Sequence, residues 1–305
     1  MRNEEFVKLA AEKMLEALEN GCAPWTRPWK AGSIEAMEIS GATRKPYRGI
    51  NQLMLSIYNP TGEYNNTSGT DFDPRWYTFK GAQAIGAQVK KGAKGVPVVY
   101  ASSYDYKTGA LDDNGDDKTR RGWYEKISHV FHASCIEGLD IYAQPKKEIL
   151  TEHGVNELAE NIIKNYISRS KVVLINKEQD RACYTPSSDS VLMPLKGQFF
   201  RLCSYYSVLL HELGHSTGHE KRLNRFKRYQ YGMEELIAEL TSHFLSKLYG
   251  IEHDPSNHVS YISGWAKMIK ADPQTIILAS KEANRAMNLI LEGFEEEKRE
   301  PAEAA

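Results

Sequence analysis

The sequence predicts an α+β protein of two domains, residues 1–147 and 148–305. Three observations lead there. At 305 residues the chain is longer than one ordinary compact domain. Strand-like runs are interleaved with short helical patterns in the first half, whereas long helices gather in the last third. The texture changes at Gln144-Pro145-Lys146-Lys147, a polar, proline-bearing stretch suited to a boundary.

The elements follow in order. Phe6, Leu9, Ala10, Met14, Leu15 and Leu18 recur at helical spacing, so a helix covers about 3–18, closed by Asn20-Gly21. A short helix follows over 50–58, broken by Asn59-Pro60-Thr61-Gly62, and residues 63–70 read as loop. Trp76-Tyr77-Thr78-Phe79 has strand composition and leads to a short helix over about 82–89. Strands are expected at 96–100 and 123–131, with the acidic run 111–117 as a solvated hairpin tip. That run lacks the glycine and terminal glutamate of a calcium loop. Beyond the boundary come a helix over 151–167 and short strands at 171–175, 182–184 and 190–193. The remainder reads as helical: one helix through 202–213 and beyond, one over 233–249, and two more up to Phe294.

Composition excludes several classes. Apolar content of 41% is ample for a core, and a net charge of −1 is not that of a general polyanion binder. No run of 18 apolar residues occurs, and Met1-Arg2-Asn3-Glu4 opens without a secretory pattern, so a soluble cytoplasmic protein with no membrane partner is expected. The four cysteines, Cys22, Cys135, Cys183 and Cys203, are widely separated, which suits a reducing compartment.

The most informative segment is His211-Glu212-Leu213-Gly214-His215. Two histidines four apart lie about 40° apart around a helix and can reach one zinc ion; Glu212 lies about 60° from His215 and can handle a proton of an attacking water. Apolar Leu209, Leu210 and Leu213 place the segment on a core helix. A catalytic zinc takes three protein ligands and leaves one position open, so a third is needed. The candidates are His219, Glu234, Glu235, Glu239 and His243. Glu235, 20 residues past His215, is favoured, with Glu239 and His219 as alternatives. Glu239 shares a helix face with Glu235 and could accept the far N–H of a ligand histidine. Glu234, about 100° round, is expected on the solvent face. The chemistry is metal-assisted hydrolysis, with Glu212 as general base. Oxyanion donors are sought among Tyr184, Tyr229, Tyr231 and His243. Residues 184–193 are expected to offer an edge strand to a peptide substrate.

The front half has a different chemistry. Between Pro24 and Tyr100 stand ten Lys/Arg (Arg27, Lys30, Arg44, Lys45, Arg48, Arg75, Lys80, Lys90, Lys91, Lys94) against five acids. Trp25, Trp29, Tyr47, Trp76, Tyr77 and Phe79 interleave with them. Stacking platforms beside cations are what a single-stranded nucleic acid needs, although composition alone does not separate such a surface from core aromatics and solvated lysines.

Taken together, the motifs resemble the ArdC-type antirestriction proteins. The resemblance rests on Gly41-Ala42-Thr43-Arg44-Lys45-Pro46-Tyr47-Arg48-Gly49-Ile50-Asn51, on Trp76-Tyr77-Thr78-Phe79-Lys80-Gly81-Ala82 with Val89-Lys90-Lys91-Gly92, on His129-Val130-Phe131, on Thr185-Pro186-Ser187 to Met193-Pro194, and on His211–His219 with Met233–Glu239. It covers about residues 5–290 with both halves in the family's order. It implies an N-terminal single-stranded-DNA-binding domain and a C-terminal zincin-like metallopeptidase domain, similar to Spartan-type proteases that cleave proteins on DNA. Such proteins are associated with plasmids, phages and protection of incoming DNA. Carried onto this chain, the gluzincin arrangement implies His211, His215 and Glu235 as zinc ligands and Glu239 behind them. The metzincin pattern fails, since its third histidine would fall at Lys221. The DNA-facing candidates become Trp25, Arg27, Trp29, Lys30, Arg44, Lys45, Tyr47, Arg48, Asn51, Trp76, Phe79, Lys80, Lys90, Lys91 and Lys94. The implied partners are single-stranded DNA, double-stranded DNA as a second candidate, and a protein substrate that is DNA-bound or a restriction enzyme. Where the family has a glycine this chain has Arg44, so a glycine-dependent turn is not expected there. The alternative reading is a DNA-shielding protein whose metal site is structural or vestigial.

Overall fold

The computed structural model describes residues 1–19, 37–58, 73–111, 117–140, 142, 152–249, 251 and 259–294. The loop expected at 63–70, the acidic tip at 112–116 and the boundary near 147 lie outside these residues.

Helices α1 (Asn3–Glu19) and α2 (Ile50–Tyr58) form where apolar spacing puts them. The sheet of the N-terminal half has two inner strands: β2 (Arg75–Thr78), parallel to β1 (Ile39–Ser40), and β5 (Asp117–His132), antiparallel to β2 and to β4 (Val96–Leu111). Between β2 and β4 lie α3 (Phe79–Ala84) and β3 (Gln88–Val89), the latter paired with β6 (Ile136–Glu137).

Two departures from expectation have local causes. The helix expected at 82–89 begins earlier, because Thr78 accepts the Gly81 N–H at 3.0 Å, and it ends at Ala84. The Gly86 N–H reaches Gln83 C=O and the Ala87 N–H reaches Ala82 C=O, both at 3.0 Å, with Gly86 at φ +76°; this is a Schellman stop. The second departure is at Arg44. The Arg44 N–H donates to Ser40 C=O at 2.8 Å and the Ser40 N–H to Lys45 C=O at 2.9 Å. These bonds close a tight turn with Arg44 at φ +58°, so the left-handed turn persists without glycine. A non-glycine residue there costs about 1–2 kcal/mol.

The C-terminal half opens with α4 (Glu152–Ser170) and a small sheet of β7 (Val173–Asn176), β8 (Cys183–Thr185) and β9 (Ser190–Met193). Strand β9 is central, parallel to β7 and antiparallel to β8, which leaves β8 at an edge. Four helices follow: α5 (Leu202–Ser216), α6 (Tyr231–Tyr249), α7 (Val259–Ala271) and α8 (Gln274–Leu291). One large apolar cluster spans these helices and α4, and it takes in Ala11, Met14 and Leu18 of α1 and Leu53 of α2. The two halves therefore share a core. No helix among the described residues is long and apolar enough to cross a membrane.

Candidate metal centre

Helix α5 carries His211, Glu212 and His215, and α6 carries Glu234, Glu235 and Glu239. The close packing of these helices depends on Gly214. A Cβ at that position would lie 3.2 Å from both Cα and O of Ala238, so any side chain would wedge the helices apart.

The approach brings three residues to one point. Nε2 of His211 and Nε2 of His215 are 3.1 Å apart. Glu235 Oε2 lies 3.5 Å from the first and Oε1 3.4 Å from the second. A tetrahedral shell with bonds of about 2.0–2.1 Å sets its ligand atoms about 3.3–3.4 Å apart, so this two-nitrogen, one-carboxylate set fits a divalent ion. His211, His215 and Glu235 form that group, with ligand atoms all within 4.8 Å of one another.

Each imidazole is backed by a further carboxylate. Glu239 Oε2 stands 3.4 Å from His211 Nδ1, and Glu234 Oε1 stands 3.6 Å from His215 Nδ1. Such contacts turn both Nε2 atoms toward the shared point. The placement of Glu234 corrects the sequence expectation: it is 4% exposed, not on a solvent face. It is held by Arg225, whose Nε and Nη2 donate to its carboxylate at 3.1 and 2.6 Å. Arg225, itself fully buried, also donates to Gly214 C=O at 2.9 Å and Thr217 Oγ1 at 2.7 Å, which ties the end of α5 to the start of α6. The sequence alone does not announce this: Glu235, Glu239, Ser242 and Ser246 line one side of the helix, so an acidic first turn reads as part of a solvated face.

The electrostatics are those of a cation site. Burial opposes a charged imidazole, yet Glu235 and Glu239 outweigh it and raise the pKa of His211. Burial opposed by Glu234 and Glu235 likewise leaves His215 raised. Glu235 is held well below the ordinary carboxylate range, since the two histidines overcome the upward effect of its own burial.

The group opens into a cleft of about 740 Å³ lined by His211, Glu212, His215 and Glu235. Tyr184 and Pro186, in and just beyond β8, line it as well, as do Phe226, Tyr229, Tyr231 and Tyr261. Of the four oxyanion candidates, Tyr184, Tyr229 and Tyr231 line the cleft; His243 is buried elsewhere. The Tyr184 hydroxyl donates to Asp189 at 2.8 Å, and the same carboxylate is paired with Arg222. Tyr231 and Tyr261 share a hydroxyl–hydroxyl contact of 3.0 Å. Burial, then Tyr261 and Glu235, push the Tyr231 hydroxyl well above its ordinary pKa, so it remains a donor. Tyr261 carried no sequence signal. His219 stands outside the ligand group, its Nδ1 accepting the Lys221 N–H at 3.1 Å.

Both halves of the chain are similar to known proteins. Residues 4–131 match the family described as the N-terminal domain of anti-restriction factor ArdC, and residues 160–282 match the family described as zincin-like metallopeptidase. The metal-free crystal structure of the antirestriction ArdC protein from plasmid R388 is similar at TM-score 0.72 and 27% identity, covering 94% of this chain and 96% of that one. This chain belongs to the ArdC-type antirestriction proteins. The Mn(II)-bound structure of the R388 protein gives TM-score 0.70 over 94% and 97% of the two chains. The DNA primase TraC of Escherichia coli is 36% identical over 304 residues, and the ArdC-type chain spans only 27% of that relative's length. The y4eC protein of Sinorhizobium fredii is 29% identical over 291 residues, 92% of this chain and 90% of that one.

In the N-terminal half of this ArdC-type chain, the DNA-facing candidates divide by placement. Arg44, Lys45, Arg48, Phe79, Lys80, Lys91 and Lys94 are exposed. Lys90 is half-buried, its Nζ donating to Ser134 C=O at 2.9 Å. Trp76 is 2% exposed with its Nε1 donating to Glu38 at 2.6 Å, so it belongs to the core and offers no face to a base. Asn51 is occupied with strand β4: Nδ2 donates to Val99 C=O at 2.7 Å and Oδ1 accepts the Val99 N–H at 2.8 Å. Tyr47 is half-buried, and burial pushes its hydroxyl up to about 12. Trp25, Arg27, Trp29 and Lys30 lie outside the described residues.

Proposed function

We propose that this chain is a DNA-binding, zinc-dependent metallopeptidase that protects mobile-element DNA from restriction in the cytoplasm. The observation that carries the reading is the convergence of His211, His215 and Glu235 in an open cleft that Glu212 also lines. A divalent ion held there would supply Lewis-acid polarisation and a water of lowered pKa. Zinc is assigned from the donor set, two imidazoles and one carboxylate with a position left to water.

The protein's own residues do the rest. Glu212 takes the proton of the attacking water and later delivers it to the leaving amine. Glu239 and Glu234 hold the two ligand imidazoles in orientation. Tyr231, which lines the cleft and whose hydroxyl meets that of Tyr261, is our candidate donor to negative charge developing on the scissile carbonyl. Strand β8 lies at the edge of its sheet and its Cys183 and Tyr184 line the cleft, so an extended peptide is proposed to add to it as a further strand. Support for a divalent ion comes also from the Mn(II)-bound R388 relative. Support for DNA as partner comes from the match to the ArdC N-terminal family and from the exposed basic residues Arg44, Lys45, Arg48, Lys80, Lys91 and Lys94. The single-stranded form is proposed, with double-stranded DNA as the comparison arm of binding experiments. The substrate is a protein carried on DNA or a restriction enzyme.

The deciding experiment is Glu212→Gln. Metal content by plasma emission spectroscopy and oligonucleotide affinity should match the wild type, while proteolysis and protection of transferred DNA are lost. Full protection by this variant would overturn the peptidase mechanism and leave a DNA-shielding protein.

A further inference from the structure

Beyond the core, the β4–β5 hairpin continues as a two-stranded ribbon with one aromatic face. Alternate residues of a strand share a face, so Tyr100, Tyr104 and Tyr106 of β4 lie on the same side. The antiparallel register sets them opposite Lys126, Gly122 and Arg120, and sets Tyr124 opposite residue 102 on that face. All four tyrosines are exposed, Tyr104 at 51% and Tyr124 at 48%. The Tyr104 ring centroid lies 5.9 Å from that of Tyr106 and 6.1 Å from that of Tyr124. Gly122 makes the cluster possible: a Cβ there would fall 2.7 Å from Cζ of Tyr104, so that ring lies across the backbone of the opposite strand.

The other face packs inward only at its base and is exposed further out at Asp105 and Arg121. Val99 and Ile127 pack against Phe6, Ala10 and Met54, and Asn3 Nδ2 donates to Glu125 at 2.8 Å. The acids of this stretch belong to that second face as well, where Asp105 pairs with Arg121 at 3.2 Å. The tyrosine face, from 100 to 106 and 120 to 126, carries Arg120 and Lys126 and no acid.

We propose that this face is the stacking platform for single-stranded DNA, a refinement that rests on the DNA-binding part of the function proposed above. Contiguous exposed rings give bases a surface, and flanking cations without an opposing acid match the charge of a phosphate backbone. A protein partner with mixed charge would find no anion on this face to pair with its own cations.

The test uses fluorescein-labelled oligothymidylate and the full chain. Tyr104→Ala/Tyr124→Ala should lower affinity about tenfold or more, whereas Tyr104→Phe/Tyr124→Phe stays within about twofold, because stacking needs the ring and not the hydroxyl. Arg120→Gln/Lys126→Gln should flatten the slope of log affinity against log salt by about 1.4, as expected when two phosphates are no longer neutralised. Metal content serves as the check that each variant is folded. If wild type binds and the alanine pair binds equally well, the platform is elsewhere and this proposal falls while the DNA-binding reading stands. If wild type fails to bind at low salt, both fall. If the alanine pair alters self-association by sedimentation and leaves oligonucleotide affinity unchanged, the face is a protein contact and the proposal is overturned.

Discussion

Glu234 shows how much a single side chain can be asked to do. It stands 3.6 Å from Nδ1 of His215 and accepts two charge-assisted bonds from a guanidinium with no solvent exposure. Removing its charge while keeping its shape weakens the orientation of one ligand histidine and leaves Arg225 without its counter-ion. Glu234→Gln should therefore lower metal affinity about 10–100-fold, the range for groups that hold ligand histidines in place. Competition with a chromophoric chelator measures it, and unchanged affinity would show that Arg225 and Glu234 serve helix packing alone. At this scale the ligand set was legible, because His211, Glu212 and His215 obey a helical period and Glu235 follows at a spacing that fits a second helix. The carboxylate behind His215 was not, because one helical turn viewed alone says nothing of what packs around it. Trp76 makes the converse point: an aromatic next to basic residues reads as surface until its indole is found bonded to a buried carboxylate.

At the scale of elements, the geometry of the centre is a property of the α5–α6 contact. Gly214 meets the backbone of Ala238, so the space for a methyl group exists only if the helices separate. Gly214→Ala should raise helix propensity locally by up to about 1 kcal/mol. Against that stands the strain of overpacking, about 1–3 kcal/mol. The net expectation is a loss of stability in urea together with weaker metal binding, since Glu235 retreats from the histidines. A variant more stable than wild type with full metal content would refute the close-contact account. Helix positions were largely readable from apolar spacing; α3 shifted because Thr78 and Gly86 set its ends. The outer ribbon, β4 beyond Tyr100 and β5 before Trp123, was missed for a physical reason: among the described residues its tyrosine face is exposed, so the pattern of buried and exposed residues that announces a strand is absent.

At the scale of the molecule, a sequence boundary near 147 and a shared core make opposed predictions, and the core can be weighed. Met14, Leu18 and Leu53 come from the N-terminal half yet lie fully buried among side chains of α4–α8. Burying each is worth about 1.5–3 kcal/mol, so together they supply about 5–9 kcal/mol to the cluster around α5 and α6. That is comparable to the whole stability of a domain, about 5–15 kcal/mol. A second tie is polar: Lys247 of α6 lies 3.7 Å from Glu38, both buried, and Glu38 also accepts the Trp76 indole N–H. A chain cut to residues 148–305 would expose the apolar patch that α1 and α2 cover and would leave Lys247 without that carboxylate. It should lose the sharp near-ultraviolet circular dichroism of a packed core and bind metal weakly, while the full chain unfolds in one transition by calorimetry. If the cut chain instead unfolds cooperatively with wild-type metal affinity, the C-terminal half folds by itself, and the contacts from α1 and α2 serve only to hold the N-terminal half against it.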